Sequence, residues 1–180
     1  GPGSEPDFIT VDGSEGGTGA APQVLADHMG MPLNEALPIV VDTLIKYGLR
    51  QRVDIIASGK LVTASAVARA LCLGADFCVS GRGFLFSLGC IQSLQCHSGH
   101  CPTGIKTQNK KLQKGLNVEL KAERVASYAR SMNKEIDMIA HSCGLKSAHD
   151  FRREHARIVA TADKSIPMEV LHPYPEGELK

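Results

Sequence analysis

The chain has 180 residues, enough for one domain or one piece of a larger one. Its 43% hydrophobic content is ordinary for a packed core and too high for a disordered chain. With 20 Lys and Arg against 19 Asp and Glu, the net charge of +1 and the lack of a basic run argue against nucleic acid as a partner, and no apolar stretch reaches the ~20 residues that cross a bilayer.

Residues 1–4, Gly-Pro-Gly-Ser, lack a signal-peptide pattern and read as a tag-cleavage remnant. The expected setting is cytoplasmic, where the six cysteines are not expected to form structural disulfides. The first strand-like run is Phe8-Ile9-Thr10-Val11, ending in Asp12-Gly13 and followed by the glycine-rich segment Ser14 to Gly19. Asn34 is placed to cap a helix running to about Tyr47, with Leu37, Val40, Val41, Leu44 and Ile45 on one face and Gly48 as its stop. A second strand, Val53 to Ala57, ends in Ser58-Gly59-Lys60. Thr63 is placed to cap a helix burying Val67, Ala70 and Leu71 before Gly74. A third strand, Phe77 to Ser80, runs into a turn at Gly81-Arg82-Gly83.

This alternation predicts an α/β fold of parallel strands joined by right-handed crossovers, with the glycine turns at the strands' carboxyl ends, where such folds bind ligands. Three strands are fewer than the eight of a closed barrel. Beyond residue 115 the pattern is helical. Val125, Tyr128, Met132, Ile136 and Ile139 form a stripe at helical spacing that stops at Gly144-Leu145. Ser147 and Asp150 predict a cap for a further helix around Phe151 to Val159. An extended tail with Pro167, Pro173 and Pro175 is expected after it.

Cys90, Cys96 and Cys101 stand at C-x5-C-x4-C spacing among Gly89, Ser98, Gly99, Pro102 and Gly104. A loop of that composition can fold back and aim three thiolates at one point. Four readings stay open at this stage. They are a three-thiolate iron–sulfur centre, a Cys3His zinc site recruiting His97 or His100, a disulfide, and small buried hydrophobes. Cys72, Cys78 and Cys143 fall within helix or strand patterns and are expected to pack in the core. Free N–H groups at Gly16 and Gly17, Ser58, Gly59 and Lys60, and Gly81, Arg82 and Gly83 are suited to an anion or a flavin edge, with Lys60 and Arg82 adding charge. The alternative for both cations is a solvated surface charge.

Taken together, Asp12 to Ala20, Ile56 to Lys60, and Gly89-Cys90-Ile91-Gln92 with Cys96 and Cys101-Pro102-Thr103-Gly104 resemble the synthase domain of the glutamate synthase family, over about Asp7 to Ile158. The resemblance implies the C-terminal portion of a TIM (β/α)8 barrel. Residues 5–115 would be a partial FMN-binding barrel with the cysteine cluster loop, and residues 116–180 would be C-terminal helices and tail. It implies FMN and a 3Fe–4S cluster, with electrons from an NAD(P)H-linked subunit or ferredoxin and a hydride passed from reduced FMN to the imine of 2-oxoglutarate and ammonia, giving L-glutamate. Cys90, Cys96 and Cys101 would ligate the cluster. Ser58, Gly59, Lys60, Gly81, Arg82 and Gly83 would hold the FMN phosphate, and Gly16 and Gly17 would approach the flavin.

Ser14-Glu15 stands where large glutamate synthases commonly show His-Asp, which makes the chain more similar to the smaller stand-alone synthase-like branch. The family's flavin-ring and 2-oxo acid contacts come largely from strands preceding Asp7, so the resemblance assigns no catalytic residue here. It implies an enzyme for the parent and little activity for this piece, which is expected to self-associate through open sheet edges. An N-methylglutamate synthase using methylamine, an electron-transfer module without flavin, and an inert scaffold piece are the alternatives. A barrel of the IMP dehydrogenase type shares the phosphate loops but leaves the cysteine loop unexplained.

Overall fold

The computed structural model describes residues 3–15, 29–177 and 179. Three parallel strands pair in the order β1 (Phe8–Asp12), β2 (Asp54–Ser58), β3 (Phe77–Val79). Val11 lies opposite Ala57, and Ala57 opposite Cys78. Central β2 buries Ile55 and Ala57 and leaves its alternate positions half-buried, as the period of two requires. Helices α1 (Leu33–Lys46) and α2 (Ala64–Cys72) join successive strands, and Leu37, Val41, Leu44, Ile45, Val67 and Ala70 form the core with Val11, Ile55 and Ala57. This is the α/β unit expected of a barrel segment.

Local chemistry explains how the elements start. Thr63 caps α2, its Oγ1 accepting the Ala66 N–H at 3.3 Å. The cap expected at Asn34 is not used. Helix α1 starts after Pro32, whose ring offers no acceptor, and Glu15 supplies one from the preceding loop. Its carboxylate accepts the Leu33 N–H at 2.9 and 3.1 Å, which also places an anion at the positive end of the helix dipole. The third glycine segment is not a separate turn: Gly81 to Gly83 form the first turn of α3 (Gly81–Ser87).

After the short α4 (Lys110–Gln113), the long α5 (Val118–Ser142) is capped by Asn117, whose side chain accepts the Leu120 N–H. The expected stripe is present: Ile136 is buried, Val125, Tyr128, Met132 and Ile139 are half-buried, and α5 packs on α2. Gly144, at φ +77°, ends it.

The helix expected around residues 151–159 is absent. Ser147 and Asp150 do make a capping box, but it closes only the 3-10 turn Ala148–Asp150. A second such turn, Arg153–His155, follows, and then β4 (Arg157–Thr161) pairs antiparallel with β5 (Lys164–Pro167). The β-branched Ile158 and Val159 suit that hairpin, and the tail expected to be extended holds β5 and the one-turn α6 (Met168–Leu171). Arg153 explains why a helix does not form. Its side chain, 0% exposed, turns inward to Asp42 of α1, with Nη2–Oδ1 at 2.5 Å and Nη1–Oδ2 at 3.3 Å. It also donates to the His172 carbonyl at 2.8 Å and lies 4.2 Å from the centre of the Tyr174 ring.

A second charged pair sits at the amino ends of the strands. Arg50 meets Asp76 at 2.9 Å and donates to the carbonyls of Val53 and Gly74, while Asp76 accepts the Ile55 N–H at 2.7 Å. Among the described residues no helix is long and apolar enough to cross a membrane.

Removing the Asp42 carboxylate leaves a wholly buried guanidinium without a counter-charge. Asp42→Ala is expected to lower the unfolding free energy by about 3–5 kcal/mol in urea titrations, and Asp42→Asn by less, since the amide still accepts a hydrogen bond.

Candidate functional site

The carboxyl ends of β1, β2 and β3 bring the loops they lead into to one edge of the sheet. The Gly13 N–H donates to the Ser58 carbonyl at 2.8 Å, joining the first two loops. Glu15 is wedged between them: a Cβ at Gly13 would stand 2.2 Å from its Oε2, and one at Gly59 would stand 3.0 Å away. Both glycines therefore make room for the carboxylate that caps α1. Lys60 and Arg82 are exposed. Gly16 and Gly17 lie outside the described residues.

The second and third loops are joined by Tyr128 of α5. Its hydroxyl donates to the Val62 carbonyl at 2.8 Å and shares a 2.9 Å hydrogen bond with Ser80 Oγ. The ring meets Phe84 edge-on, with centroids 5.1 Å apart. A Cβ at Gly83 would fall 1.9 Å from the Tyr128 oxygen, so this glycine is needed for packing. Nothing lies within 4 Å of a Cβ built at Gly81, which leaves that backbone approachable. Sequence reasoning placed Tyr128 in the buried stripe but missed its hydroxyl. A phenol among aliphatic residues, needing a partner if buried, was the available signal.

The cysteine loop begins where α3 ends. Gly89, at φ +99°, donates its N–H to the Phe86 carbonyl, and Cys90 donates to Leu85, a Schellman motif that fixes the first thiol-bearing residue to the helix end. Gln92 and Leu94 follow at φ +54° and +58°. With Lys60 at +49°, they are the non-glycine residues in the left-handed region among those described, and all three fall in the candidate loops. Cys96 opens a 3-10 turn ending at Gly99.

Cys101 is buried, and its sulfur lies 3.2 Å from Thr103 Oγ1. Burial works to raise its pKa, but the Thr103 hydroxyl and the N–H groups of Lys106, Thr103 and Ile105 outweigh it and bring the thiol down to about 7. That cradle of donors is what a metal-binding thiolate needs. Cys90 and Cys96 are half-buried on the same loop. Among the described residues, no three Cys, His, Asp or Glu side chains stand gathered closely enough to hold a metal ion. Burial pushes Cys72 and Cys78 up to about 12, as inert packed thiols require, with the Cys143 thiol a smaller influence on Cys72. Cys143 is not in the core: it is exposed as the C-cap of α5.

A parallel α/β unit with glycine-bearing loops at one sheet edge and a three-cysteine loop after its third strand is consistent with a segment of a (β/α) barrel. Residues 2–146 match the model of the family described as the conserved region in glutamate synthase, and the chain belongs to that family. It is 52% identical over 154 residues to a glutamate synthase large subunit-like protein, YerD, of Bacillus subtilis, covering 85% of this chain and 29% of the relative. It is 36% identical over 175 residues to the archaeal glutamate synthase (NADPH) of Methanocaldococcus jannaschii, covering 97% of this chain and 34% of the relative. With the archaeal-type glutamate synthase (NADPH) of Thermotoga maritima it shares 35% identity over 172 residues, 96% of this chain and 34% of the relative. The chain thus spans about a third of the length of these relatives.

Two outcomes are expected. Gly83→Ala should destabilise by about 1–3 kcal/mol despite the gain in helix propensity, and by less in a Tyr128→Phe background, where the closest contact becomes Ser80 Oγ at 2.5 Å in place of the phenol oxygen at 1.9 Å; thermal melts read both. Because the thiolate is the nucleophile, alkylation of Cys101 by iodoacetamide should rise with pH around a midpoint near 7, and Thr103→Val should move that midpoint upward. Peptide mass spectrometry should show Cys72 and Cys78 unmodified over the same range.

Proposed function

We propose that this chain is part of a glutamate synthase-type flavin oxidoreductase, in which Cys90, Cys96 and Cys101 hold a 3Fe–4S cluster and the strand-end loops hold the phosphate of FMN. The observation that carries the reading is Cys101, a buried thiol held near neutrality by a hydroxyl and three N–H groups, inside the segment that matches the family. The relatives' names supply the reaction, formation of L-glutamate, for which 2-oxoglutarate and ammonia are the proposed substrates.

When bound, FMN would supply hydride transfer and the cluster a one-electron relay. This chain's own residues hold and exclude. The N–H groups around Cys101 stabilise its thiolate against burial, and the Schellman motif sets where Cys90 leaves α3. At the sheet edge, the open backbone of Gly81 and the cations of Lys60 and Arg82 suit a phosphate, with Ser58 and Gly59 completing the second loop. Gly83 contributes through Tyr128, which keeps that edge in shape. Phe8 and Phe77, 57% and 54% exposed on the outer strands, have the character of side chains covered by other parts of a longer protein, because parallel sheets are buried on both faces.

Anaerobic purification with iron, sulfide and flavin assayed on one sample tests the reading. About three irons per chain, lost in Cys96→Ser, is the expected result. Absence of iron and sulfide after anaerobic reconstitution would overturn the cluster assignment. Iron without flavin would leave this segment an electron-transfer module.

A further inference from the structure

Where α2, α5 and the segment leading into β4 meet, they leave a cavity of about 490 Å3. That volume lies within the ~300–1,000 Å3 typical of small-molecule sites. Small side chains make the hollow: Ala66 and Ala68 of α2 and Ala156 line it, and their methyl groups leave space that longer side chains would fill. Cys72, Ile139 and Phe151 supply larger apolar walls. The Cys72 thiol counts among these as a neutral group, since burial pushes it up to about 12. None of the candidate cofactor residues lines this cavity.

The charges at the cavity are of one sign. Arg69, Arg157 and His155 line it, and no Asp or Glu does. Arg69 is exposed, and its side chain makes no hydrogen bond or ion pair with a described residue. Arg157 is steadied by Ser165, whose Oγ and carbonyl accept from Nε at 2.9 Å and from Nη2 at 3.1 Å. Those bonds use two of the five N–H donors that a guanidinium carries. His155 accepts the Arg152 N–H on Nδ1 at 2.9 Å, so its neutral ring holds the proton on Nε2. Nε2 stands 3.6 Å from Glu154 Oε1, too far for a hydrogen bond, which leaves that donor for another acceptor. Two guanidinium groups and an N–H beside apolar walls select an anion joined to an apolar body. An ammonium group would meet only like charge there, which sets such an acid apart from an amino acid.

We infer that this cavity binds an amphipathic organic anion that carries no amine, its acidic head, a carboxylate or a phosphate, at Arg69, Arg157 and the His155 Nε2–H, and its apolar body against Cys72, Ile139 and Phe151. The site is independent of the cluster and flavin readings above. Its walls come from α2, α5 and the start of β4, so an occupant joins the C-terminal hairpin to the α/β unit. A ligand held only by the folded chain raises the melting temperature.

The test uses the full-length protein with octanoate, octyl phosphate, octan-1-ol and octylamine as probes, read by calorimetry and by thermal melts. At least one of the two anions is expected to bind and to raise the melting temperature, and the tighter of them identifies the head. Octan-1-ol and octylamine are expected to bind at least about tenfold more weakly, the loss of one hydrogen bond between charged groups. Arg69→Leu is expected to weaken the bound anion at least about tenfold and to leave the ligand-free melting temperature unchanged, because that side chain is exposed and unpaired. Ala66→Leu, which fills the hollow, is expected to abolish binding; if it does not fold, Arg69→Leu decides alone. The inference is overturned if neither anion binds at about 10 mM, where a millimolar site would be filled. It is equally overturned if octan-1-ol or octylamine binds as tightly as the anions, if Arg69→Leu matches the wild type, or if folded Ala66→Leu still binds.

Discussion

The phenol oxygen of Tyr128 meets two loops at once, donating to Val62 after β2 and bonding Ser80 after β3. A buried hydroxyl without partners costs free energy, and here the partners are main chain and side chain of the two segments that would face a ligand. The hydrogen bonds therefore register α5 against the sheet edge. Gly83 is drawn into the same constraint because a methyl there would occupy the oxygen's place. Glu15 does for the first and second loops what Tyr128 does for the second and third. It fills the space left by Gly13 and Gly59 and neutralises the start of α1. The loops are shaped by polar atoms belonging to neighbouring elements, and the glycines are the clearance those atoms require.

The two ends of the unit divide the work. At the amino ends, Arg50 and Asp76 exchange hydrogen bonds with the backbone of Val53, Gly74 and Ile55, and every group involved is answered within the fold. Arg153 and Asp42 likewise tie the C-terminal hairpin region to α1, with Tyr174 covering the guanidinium. These pairs hold the molecule together. At the carboxyl ends and along the cysteine loop the pattern reverses: Lys106, Lys110, Lys111 and Lys114 form no ion pair among the described residues, apolar side chains face water, and three residues occupy backbone conformations unusual for their type. Such departures from local preference are the mark of surfaces kept for something outside the chain.

Much of this was legible in the sequence, for identifiable reasons. Short strand-like runs ending in glycine-bearing turns located β1, β2 and β3, and Thr63 located the start of α2, because those signals act within a few residues. The stripe on α5 was visible because a long amphipathic helix repeats its pattern many times. Long-range partners overrode the local reading elsewhere. Asn34 lost its cap to Glu15, 18 positions before Leu33 in the chain. The capping box at Ser147 was real, but the helix it announced could not continue once Arg153 turned toward Asp42, far away in sequence and close in space. In the cysteine loop, spacing singled out the three thiols. What distinguishes Cys101 from the others, the donors of Thr103, Ile105 and Lys106, depends on how the chain folds back after Pro102, which spacing does not encode.

The Schellman turn at Gly89 makes helix phase a chemical variable. Cys90 leaves α3 at an azimuth set by how many residues the helix contains. Each residue added or removed would swing the exit by about 100° and shift it about 1.5 Å along the axis. A one-residue deletion in Phe84–Ser87 would thus swing the first thiol about 100° round the helix, even though C-x5-C-x4-C stayed intact in the sequence. For this loop, the count of residues before the first cysteine constrains as tightly as the counts between them, and a motif written only from its cysteines omits one of its coordinates.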